Sequence, residues 1–343
     1  CACRLDCLHS YDVIFYNKSM RNPCDTDKSR KIMGIDGLGK LIQPTLILGF
    51  IISFSFDGCS PRPPKLFTEM EPSDTNIQFS NEIQEDEKNN IYDFMNFYTG
   101  AGVGIGDINN DGLPDVFFAG NLVSNKLYLN KGDFKFEDIT ESAGLENYQW
   151  CSGVSMVDIN QDGWLDIYVC VSGSADFAHR ANLLYVNNKD NTFSEKAKEY
   201  GLANTDQATQ AAFFDYDGDG DLDMFLIINP VNYSLSSVNS VRTKLLGGQS
   251  ESTDKLYRNN GNNTFTDVSS EAGITIEGYS LGVGISDLDN DGWPDIYVSN
   301  DFLTNDIMYI NNGNGTFTDR SGERLKHTSF AGMGNDLADI NND

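Results

Sequence analysis

The chain has 343 residues, 51 of them acidic and 24 basic, and carries a formal net charge of −27 at neutral pH. A surface this acidic repels phosphate backbones, so we expect no nucleic-acid partner. The sequence holds no H-E-x-x-H motif and no phosphate-binding loop, and beyond residue 58 its histidines are His179 and His327. We therefore expect that the chain is not an enzyme.

The N-terminal part of the chain is predicted to be a targeting region. Residues 1–32 are interpreted as an upstream or non-native extension. Residues 33–58 are interpreted as a signal peptide, because Lys40 precedes an apolar stretch over residues 41–56. That stretch is shorter than the roughly 20 residues that span a bilayer, which favours a signal peptide over a membrane anchor. A start at Met20 stays open as an alternative.

The signal ends in the residues FDGCS, which resemble a bacterial lipobox with Cys59 as the residue that is lipidated. Phe56 and Asp57 depart from the residues usual in that motif. The sequence thus predicts an exported protein, held at the outer membrane or cell surface by a lipid on Cys59 or otherwise secreted, with no other membrane contact. Residues 59–98 are predicted to be a tether and lead-in to a repeat region over residues 99–343.

The repeat region carries a nine-residue pattern, D-x-[DN]-x-D-G-x-x-D, which begins at Asp107, Asp158, Asp215 and Asp287, with a shorter copy from Asp339. Oxygen atoms at alternating positions of a tight turn suit a hard cation with six to eight oxygen ligands, usually Ca²⁺. Positions 1, 3, 5 and 9 would supply side chains, and position 7 a backbone carbonyl. The predicted Ca²⁺ ligands are Asp107, Asn109, Asp111, Leu113, Asp115, Asp158, Asn160, Asp162, Trp164, Asp166, Asp215, Asp217, Asp219, Asp221, Asp223, Asp287, Asp289, Asp291, Trp293, Asp295, Asp339, Asn341 and Asp343.

Two other interpretations of this pattern fit less well. An EF-hand begins in the same way but requires a glutamate at position 12 and flanking helices. Position 12 here lies in runs of β-branched and aromatic residues that predict strands; it is Phe118, Val169, Leu226 and Val298. Ordinary hairpin turns also favour Asp, Asn and Gly, but turn geometry does not require acids at positions 1, 5 and 9 of four copies. We therefore expect calcium loops that join strand to strand.

Each loop lies in a longer repeat with the pattern of four strands. A lead-in strand precedes the loop and an apolar strand follows it; a third strand contains L-Y-x-N or a close variant, and a fourth contains F-x-D or F-x-E. Asn-Gly and Lys-Gly steps between the third and fourth strands predict hairpins. Units of this size predict the blades of a β-propeller. The predicted repeats lie near residues 100–145, 150–202, 208–274, 280–325 and 329–343.

On these loops and strand motifs the sequence resembles the FG-GAP/VCBS repeat family. That family includes the calcium-binding propeller blades of integrin α subunits and bacterial surface proteins of the cartilage acidic protein 1 and ASPIC/UnbV type. The resemblance covers residues 99–343 and, through residues 66–121, extends to the start of the bacterial surface proteins. It implies an all-β fold, a propeller with seven blades of four strands, of which about four and a half are present here.

The sequence favours an exported propeller with structural Ca²⁺ in each blade, acting as a surface adhesion or ligand-binding module for a protein or a glycan. The alternative is the propeller part of a glycan-processing enzyme or its accessory subunit, with catalysis in a further C-terminal region. A polar insertion at residues 231–253 is either a partner contact or a solvated loop. Trp150, Trp164 and Trp293 are candidates either for stacking on sugars or for a structural role.

Cys151 and Cys170 flank the second calcium loop on adjacent predicted strands. Their unequal distances from the loop place them out of register, so we expect two packed thiols rather than a disulfide. An exported protein could nevertheless form one.

Overall fold

The computed structural model describes residues 67–87, 89–92, 96–173, 180–230, 244–301 and 304–340. The chain divides into two compact units, Cys1–Glu71 and Pro72–Asp343. Of the first unit, only residues 67–71 are described, and they form no helix or strand. The predicted extension, signal peptide and Cys59 lie outside the described residues. Within the part of the chain that is described, no helix has the length and apolar character needed to cross a membrane.

The described residues of the second unit form four antiparallel sheets, each built from four strands that pair in sequence order. Blade 1 consists of β1 (Val103–Gly106), β2 (Asp115–Phe118), β3 (Lys126–Asn130) and β4 (Phe136–Asp138). Blade 2 consists of β5 (Cys151–Val157), β6 (Asp166–Val171), β7 (Leu183–Asn187) and β8 (Phe193–Glu195). Blade 3 consists of β9 (Ala208–Phe214), β10 (Asp223–Ile228), β11 (Lys255–Asn259) and β12 (Phe265–Asp267). Blade 4 consists of β13 (Ser280–Ser286), β14 (Asp295–Asn300), β15 (Ile307–Asn311) and β16 (Phe317–Asp319). The prediction of an all-β fold made of four-stranded propeller blades is confirmed.

The acidic loops connect the first two strands of every blade. In blade 1, Gly106 before the loop pairs with Asp115 at its end, and in blade 2 Val157 pairs with Asp166 in the same way. Blades 3 and 4 repeat this register. The loops therefore connect two antiparallel strands, as predicted from the apolar runs that follow them.

Neighbouring blades bury their sheet faces against each other. Ile167 and Val169 of blade 2 share an apolar cluster with Phe117 of blade 1, whereas Tyr168 between them belongs to the cluster shared with blade 3. This alternation follows from the two-residue period of a strand and explains why the second strands carry runs of apolar residues after their first aspartate. Every residue of β6 and β10 is buried.

Glycines in the first strands let adjacent blades approach closely. A Cβ atom at Gly102 would lie 2.6 Å from the Ser152 carbonyl oxygen, and one at Gly104 would lie 2.9 Å from a methyl group of Val154. Real side chains do not reach such distances. The Gly-rich lead-in strands of the sequence thus serve packing between blades.

A helical turn follows the fourth strand of each blade, and another precedes blade 1. The turns are α1 (Pro72–Thr75), α2 (Thr140–Ala143), α3 (Ala197–Tyr200), α4 (Ser269–Ala272) and α5 (Ser321–Arg324). After α2 the chain passes through Gly144 at φ 76° and then buries Leu145 between blades 1 and 2. A left-handed glycine ends a helix without steric cost. The turns α3 and α4 end in the same way, at Gly201 and Gly273.

The segment that contains α1 has the same order of a helical turn, a left-handed residue and an apolar side chain. It packs on the face of blade 1 that carries Phe118. Asn76 takes φ 65°, and Ile77 and Phe79 pack on an apolar cluster that includes Phe118. The rings of Phe79 and Phe118 stack with centroids 5.0 Å apart. Residues from 72 onward, which the sequence assigns to the tether and lead-in, belong to the folded unit, and the apolar side chains of Ile77 and Phe79 cover blade 1.

The beginning of the fifth predicted repeat lies beside β13. A Cβ atom at Gly284 would lie 2.7 Å from Asn335 Oδ1, and Asn335 Nδ2 donates to Ser299 Oγ at 2.9 Å. This segment takes the place that the first strand of the next blade takes elsewhere. The described residues 329–340 form no strand.

The two cysteines on either side of the second loop are free thiols, as expected. Cys151 belongs to the cluster between blades 1 and 2, whereas Cys170 belongs to the cluster between blades 2 and 3. Burial raises the pKa of the Cys151 thiol to about 12. A thiol held this far from ionisation is unreactive.

Candidate metal centres

The first aspartate of each loop accepts hydrogen bonds that fold the loop around it. In loop 1, Asp107 accepts from the backbone N–H of Asp111 at 3.1 Å and from that of Gly112 at 2.7 Å. The first aspartates of loops 2, 3 and 4 accept from the equivalent groups. Gly112 has φ 86°, in the left-handed region that favours glycine. The glycine at position 6 is therefore required by the backbone of the loop.

The aspartate at position 9 is the most buried group of each loop. Asp223 is 0% exposed; one oxygen accepts from the N–H of Tyr216 at 3.1 Å and the other from the N–H of Asn259 at 2.8 Å. Position 9 in the other blades, Asp115, Asp166 and Asp295, makes the same two bonds. This residue thus joins its loop to the third strand of the same blade.

The partner of that aspartate is the asparagine of the L-Y-x-N motif, whose role the sequence did not reveal. Asn187 donates its side-chain amide to the carbonyl of Leu165 at 3.1 Å and to that of Ile108, in loop 1, at 2.8 Å. Asn311 likewise reaches the carbonyl of Tyr216 in loop 3 at 2.8 Å. The recurrence of the motif alongside every loop was the one signal for this role.

Burial raises the pKa of the position 9 carboxyls, to about 7 for Asp166 and Asp223. The two backbone N–H groups that bond each carboxylate oppose this shift, and the other acids of the loop add to it. The pKa values of Asp115 and Asp295 are raised for the same reason. A cation beside these groups would favour their ionised forms.

Loops 3 and 4 bring three carboxylates together. One oxygen from each of Asp215, Asp217 and Asp223 lies within 4.8 Å of the others, and Asp287, Asp289 and Asp295 form the same group. The Oδ1 atoms of Asp217 and Asp289 are buried and have no hydrogen-bond partner. Buried acceptors without donors are costly unless a cation binds them. The residues of these two loops therefore fit a hard cation with oxygen ligands.

The aspartates at position 5 lie outside these groups of three. Asp219 Oδ1 accepts from the N–H of Asp221 at 2.9 Å, and Asp291 Oδ1 accepts from the N–H of Trp293 at 2.9 Å. The second carboxylate oxygen of each of these residues takes no part in that hydrogen bond. In loops 3 and 4, the structure thus assembles positions 1, 3 and 9 and leaves position 5 outside the group.

Loops 1 and 2 carry asparagine at position 3. Asn109 Oδ1 accepts from the N–H of Asp111 and Asn160 Oδ1 from that of Asp162, both at 3.1 Å. Amide oxygens also bind Ca²⁺. Leu113 and Trp164, at position 7, donate N–H groups to the position 5 aspartates. Asp339 of the fifth loop is described, whereas Asn341 and Asp343 lie outside the described residues.

The three tryptophans have different surroundings. Trp150 is 5% exposed and contacts Phe97, with ring centroids 5.2 Å apart, so its role is structural. Trp293 packs over Gly218 of loop 3, where a Cβ atom would lie 3.0 Å from its ring. Trp164 is half-buried.

The sequence contains one hydrolase-like motif. Residues 278–282 read G-Y-S-L-G, which matches the nucleophile motif G-x-S-x-G. That motif requires an exposed serine on a strand-to-helix turn. Ser280 instead is 0% exposed, lies in β13 of an antiparallel sheet and donates to Asp254 Oδ2 at 2.9 Å. Its role is therefore structural.

The family model described as an FG-GAP-like repeat matches residues 107–169, 171–226, 243–298 and 287–343, well over half of the chain. Every match contains at least one of the acidic loops, and the first match contains both loop 1 and loop 2. The matched ranges together cover most of the residues that form the four blades, although their bounds do not coincide with those of the blades.

Two curated relatives are both cartilage acidic protein 1. The Xenopus tropicalis protein is 30% identical over 208 residues, 60% of this chain and 29% of the relative, and the human protein is 27% identical over 236 residues, 68% of this chain and 33% of the relative. The chain thus matches about a third of these relatives' length. A solved structure on recognition of terminal N-acetylglucosamine by an Agrocybe aegerita lectin is 18% identical over 67% of each chain, with a TM-score of 0.29. The structural similarity is too low to support an argument.

Proposed function

The chain belongs to the FG-GAP-like repeat family, and on that basis we propose that it is an exported β-propeller repeat protein that binds Ca²⁺ and serves as a ligand-binding module at the cell surface. The role of the metal is structural and the role of the protein is binding rather than catalysis. The observation that carries the metal assignment is the pair of buried, unpartnered oxygens on Asp217 and Asp289.

The chemistry of the loops supports Ca²⁺ in particular. All side-chain donors are carboxylate or amide oxygens, which suit hard cations, and no His or Cys occurs within the loops. Bound Ca²⁺ neutralises clustered carboxylates that otherwise repel one another. The binding energy then adds to the stability of the folded blades, because the unfolded chain holds no such cluster.

Calorimetric titration of the full chain with Ca²⁺, together with thermal melting in Ca²⁺ and in excess chelator, tests this assignment. We expect saturable binding and a higher melting temperature with Ca²⁺. Asp289→Ala, which removes the unpartnered oxygen, should remove or weaken one site, whereas Asp133→Ala, at an exposed aspartate outside the loops, should leave binding unchanged. Identical melting with and without chelator would overturn the proposal.

Export is proposed from the sequence of residues 33–59 alone. A reporter fused after residue 66 should reach the cell envelope of a bacterial host. Labelling with a fatty-acid analogue should depend on Cys59 and be lost in Cys59→Ser. A reporter that stays in the cytoplasm would contradict export, and an exported but unlabelled reporter would contradict the lipid anchor alone.

A further inference from the structure

A groove at the junction of blades 3 and 4 is distinct from the acidic loops, although loop 3 borders it. Its volume is about 480 Å³, in the range of small-molecule sites. It lies between α4, β11, loop 3 and the β15–β16 turn, and its charged lining residues are Arg258, Asp217, Asp219 and Glu271. The turn contributes Asn314 and Thr316.

The groove exists because the last residue of α4 is small. In blade 2 the equivalent residue is Tyr200, which hydrogen-bonds Asn160 at position 3 of loop 2. In blade 4 it is Arg324, whose guanidinium lies 3.0 Å from Asp289 at position 3 of loop 4. In blade 3 it is Ala272, whose methyl group cannot extend to Asp217. Blade 1 also has an alanine at this position, Ala143, so the small residue is shared by blades 1 and 3. The space that Tyr200 and Arg324 occupy in blades 2 and 4 is therefore open to a ligand in blade 3.

Blade 3 also differs from the other blades at the variable position of L-Y-x-N. That residue is Leu129, Val186 and Ile310 in blades 1, 2 and 4, but Arg258 in blade 3. Arg258 lines the groove, and within the described part of the chain its side chain makes no hydrogen bond or ion pair. A donor with up to five N–H groups thus stands available to a ligand where the repeat otherwise has an aliphatic side chain.

We propose that this groove binds a neutral, polyhydroxylated ligand, a sugar of one or two rings. The proposal rests on the ligand-binding role proposed above and names its site. Asp217 and Asp219 belong to the proposed metal loop, which leaves Arg258 and Glu271 as a balanced donor and acceptor pair. Hydroxyl groups both donate and accept, so vicinal hydroxyls complement that pair together with Asn314 and Thr316.

The charge of the protein excludes the nearest alternatives. In the metal-loaded chain, where the cation neutralises Asp217 and Asp219, an anionic ligand would lie against Glu271 on a chain of net charge −27. A cationic side chain of a partner would lie against Arg258. A neutral ligand avoids both penalties, because it needs hydrogen bonds but no compensating charge.

Binding of the full, Ca²⁺-loaded chain to an array of neutral and acidic oligosaccharides tests the proposal. We expect binding to neutral members. Ala272→Tyr fills the groove with the residue that blade 2 has at this position, Tyr200. Arg258→Val introduces the residue that blade 2 has in its L-Y-x-N motif, Val186. Each variant should weaken that binding at least tenfold. Lys198→Ala, at an exposed cation on α3, is the matched control and should not change it.

A folded chain that binds no neutral oligosaccharide, that prefers acidic ones, or that binds equally well in both groove variants would overturn the proposal. Near-ultraviolet circular dichroism of each variant verifies folding, and Arg258→Val keeps the test decisive if Ala272→Tyr fails to fold. Calcium calorimetry on the same samples separates this outcome from failure of the proposed metal function, since Ca²⁺ binding can persist when sugar binding is absent.

Discussion

Asn110 in the first acidic loop donates its side-chain amide to the carbonyl of Gly163 in the second, at 2.9 Å. Gln161, at the same position of loop 2, reaches the carbonyl of Gly220 in loop 3 at 2.6 Å. Both carbonyls belong to the glycine at position 6, where the loop turns sharply. Neighbouring loops are therefore joined directly, in addition to the apolar cores beneath them.

This contact predicts that Ca²⁺ binding is cooperative along the array. Ordering one loop fixes the carbonyl or amide that its neighbour uses, so the second loop loses less entropy on binding. Asn110→Gly and Gln161→Gly remove the amide while preserving the left-handed backbone that loop 3 already achieves with Gly218. We expect a lower Hill coefficient in Ca²⁺ titrations of both variants. Asn290→Gly, at the same position of loop 4, serves as the control; equal Hill coefficients in all proteins would refute the coupling.

The aspartates at position 9 of the loops are predicted to stabilise the blades even without metal. Asp223→Asn keeps the shape but leaves one of two backbone N–H groups without an acceptor, because the amide nitrogen is itself a donor. Such a loss in a buried site costs about 1–3 kcal/mol. Urea unfolding in excess chelator should show a lower midpoint for this variant and no change for the exposed Asp133→Asn. A midpoint equal to that of the unmodified chain would disprove the role.

The segment before blade 1 is predicted to contribute to its stability. Phe79→Ala removes a ring that stacks on Phe118, and we expect a loss of about 1–2 kcal/mol because the ring is half-buried. Phe134→Ala makes the same change on blade 1 at a ring that is 67% exposed and should have little effect. Thermal or urea unfolding compares the two variants. Equal effects would argue that residues 72–79 do not stabilise the blade.

The stability of the folded chain is predicted to depend on pH through Asp254, independently of the metal loops. Asp254 is 0% exposed, accepts from the N–H of Ile228 and the hydroxyl of Ser280, and burial raises its pKa to about 7. Because the folded pKa lies above the unfolded value, the folded state binds the proton more tightly. Its contribution to stability is thus present at low pH and is lost as the pH rises from about 4 to 7, by at most about 1.4 kcal/mol per pH unit.

Asp254→Asn tests this linkage, because the equivalent residues Asn125 and Asn182 in blades 1 and 2 accept the same backbone bond. Relative to the unmodified chain, the variant should gain stability as the pH rises from 5 to 8. Urea unfolding at the two pH values measures the change. A stability difference that does not vary with pH would show that Asp254 titrates normally.

The position of the loops and the strands around them could be predicted from the sequence, because both depend on local patterns. Alternating oxygens with glycine at position 6 define the turn, and the apolar runs after each loop define strands that are buried on both faces. The surroundings of Asp254 could not be predicted in this way, since its partners Ile228 and Ser280 lie on another strand and in another blade. The same holds for G-Y-S-L-G, whose serine is excluded from chemistry by burial alone.

By itself, the sequence determined the repeat, its four strands and the chemical character of its loops, since residues close in the chain specify turns and strands through local sterics and hydrogen bonds. The tertiary structure decided which carboxylates gather and which stay outside the group, that residues 72–79 cover blade 1, and that Ala272 leaves a groove beside Arg258. These features depend on contacts between segments that are far apart in the sequence, and side-chain packing sets the distances across those contacts.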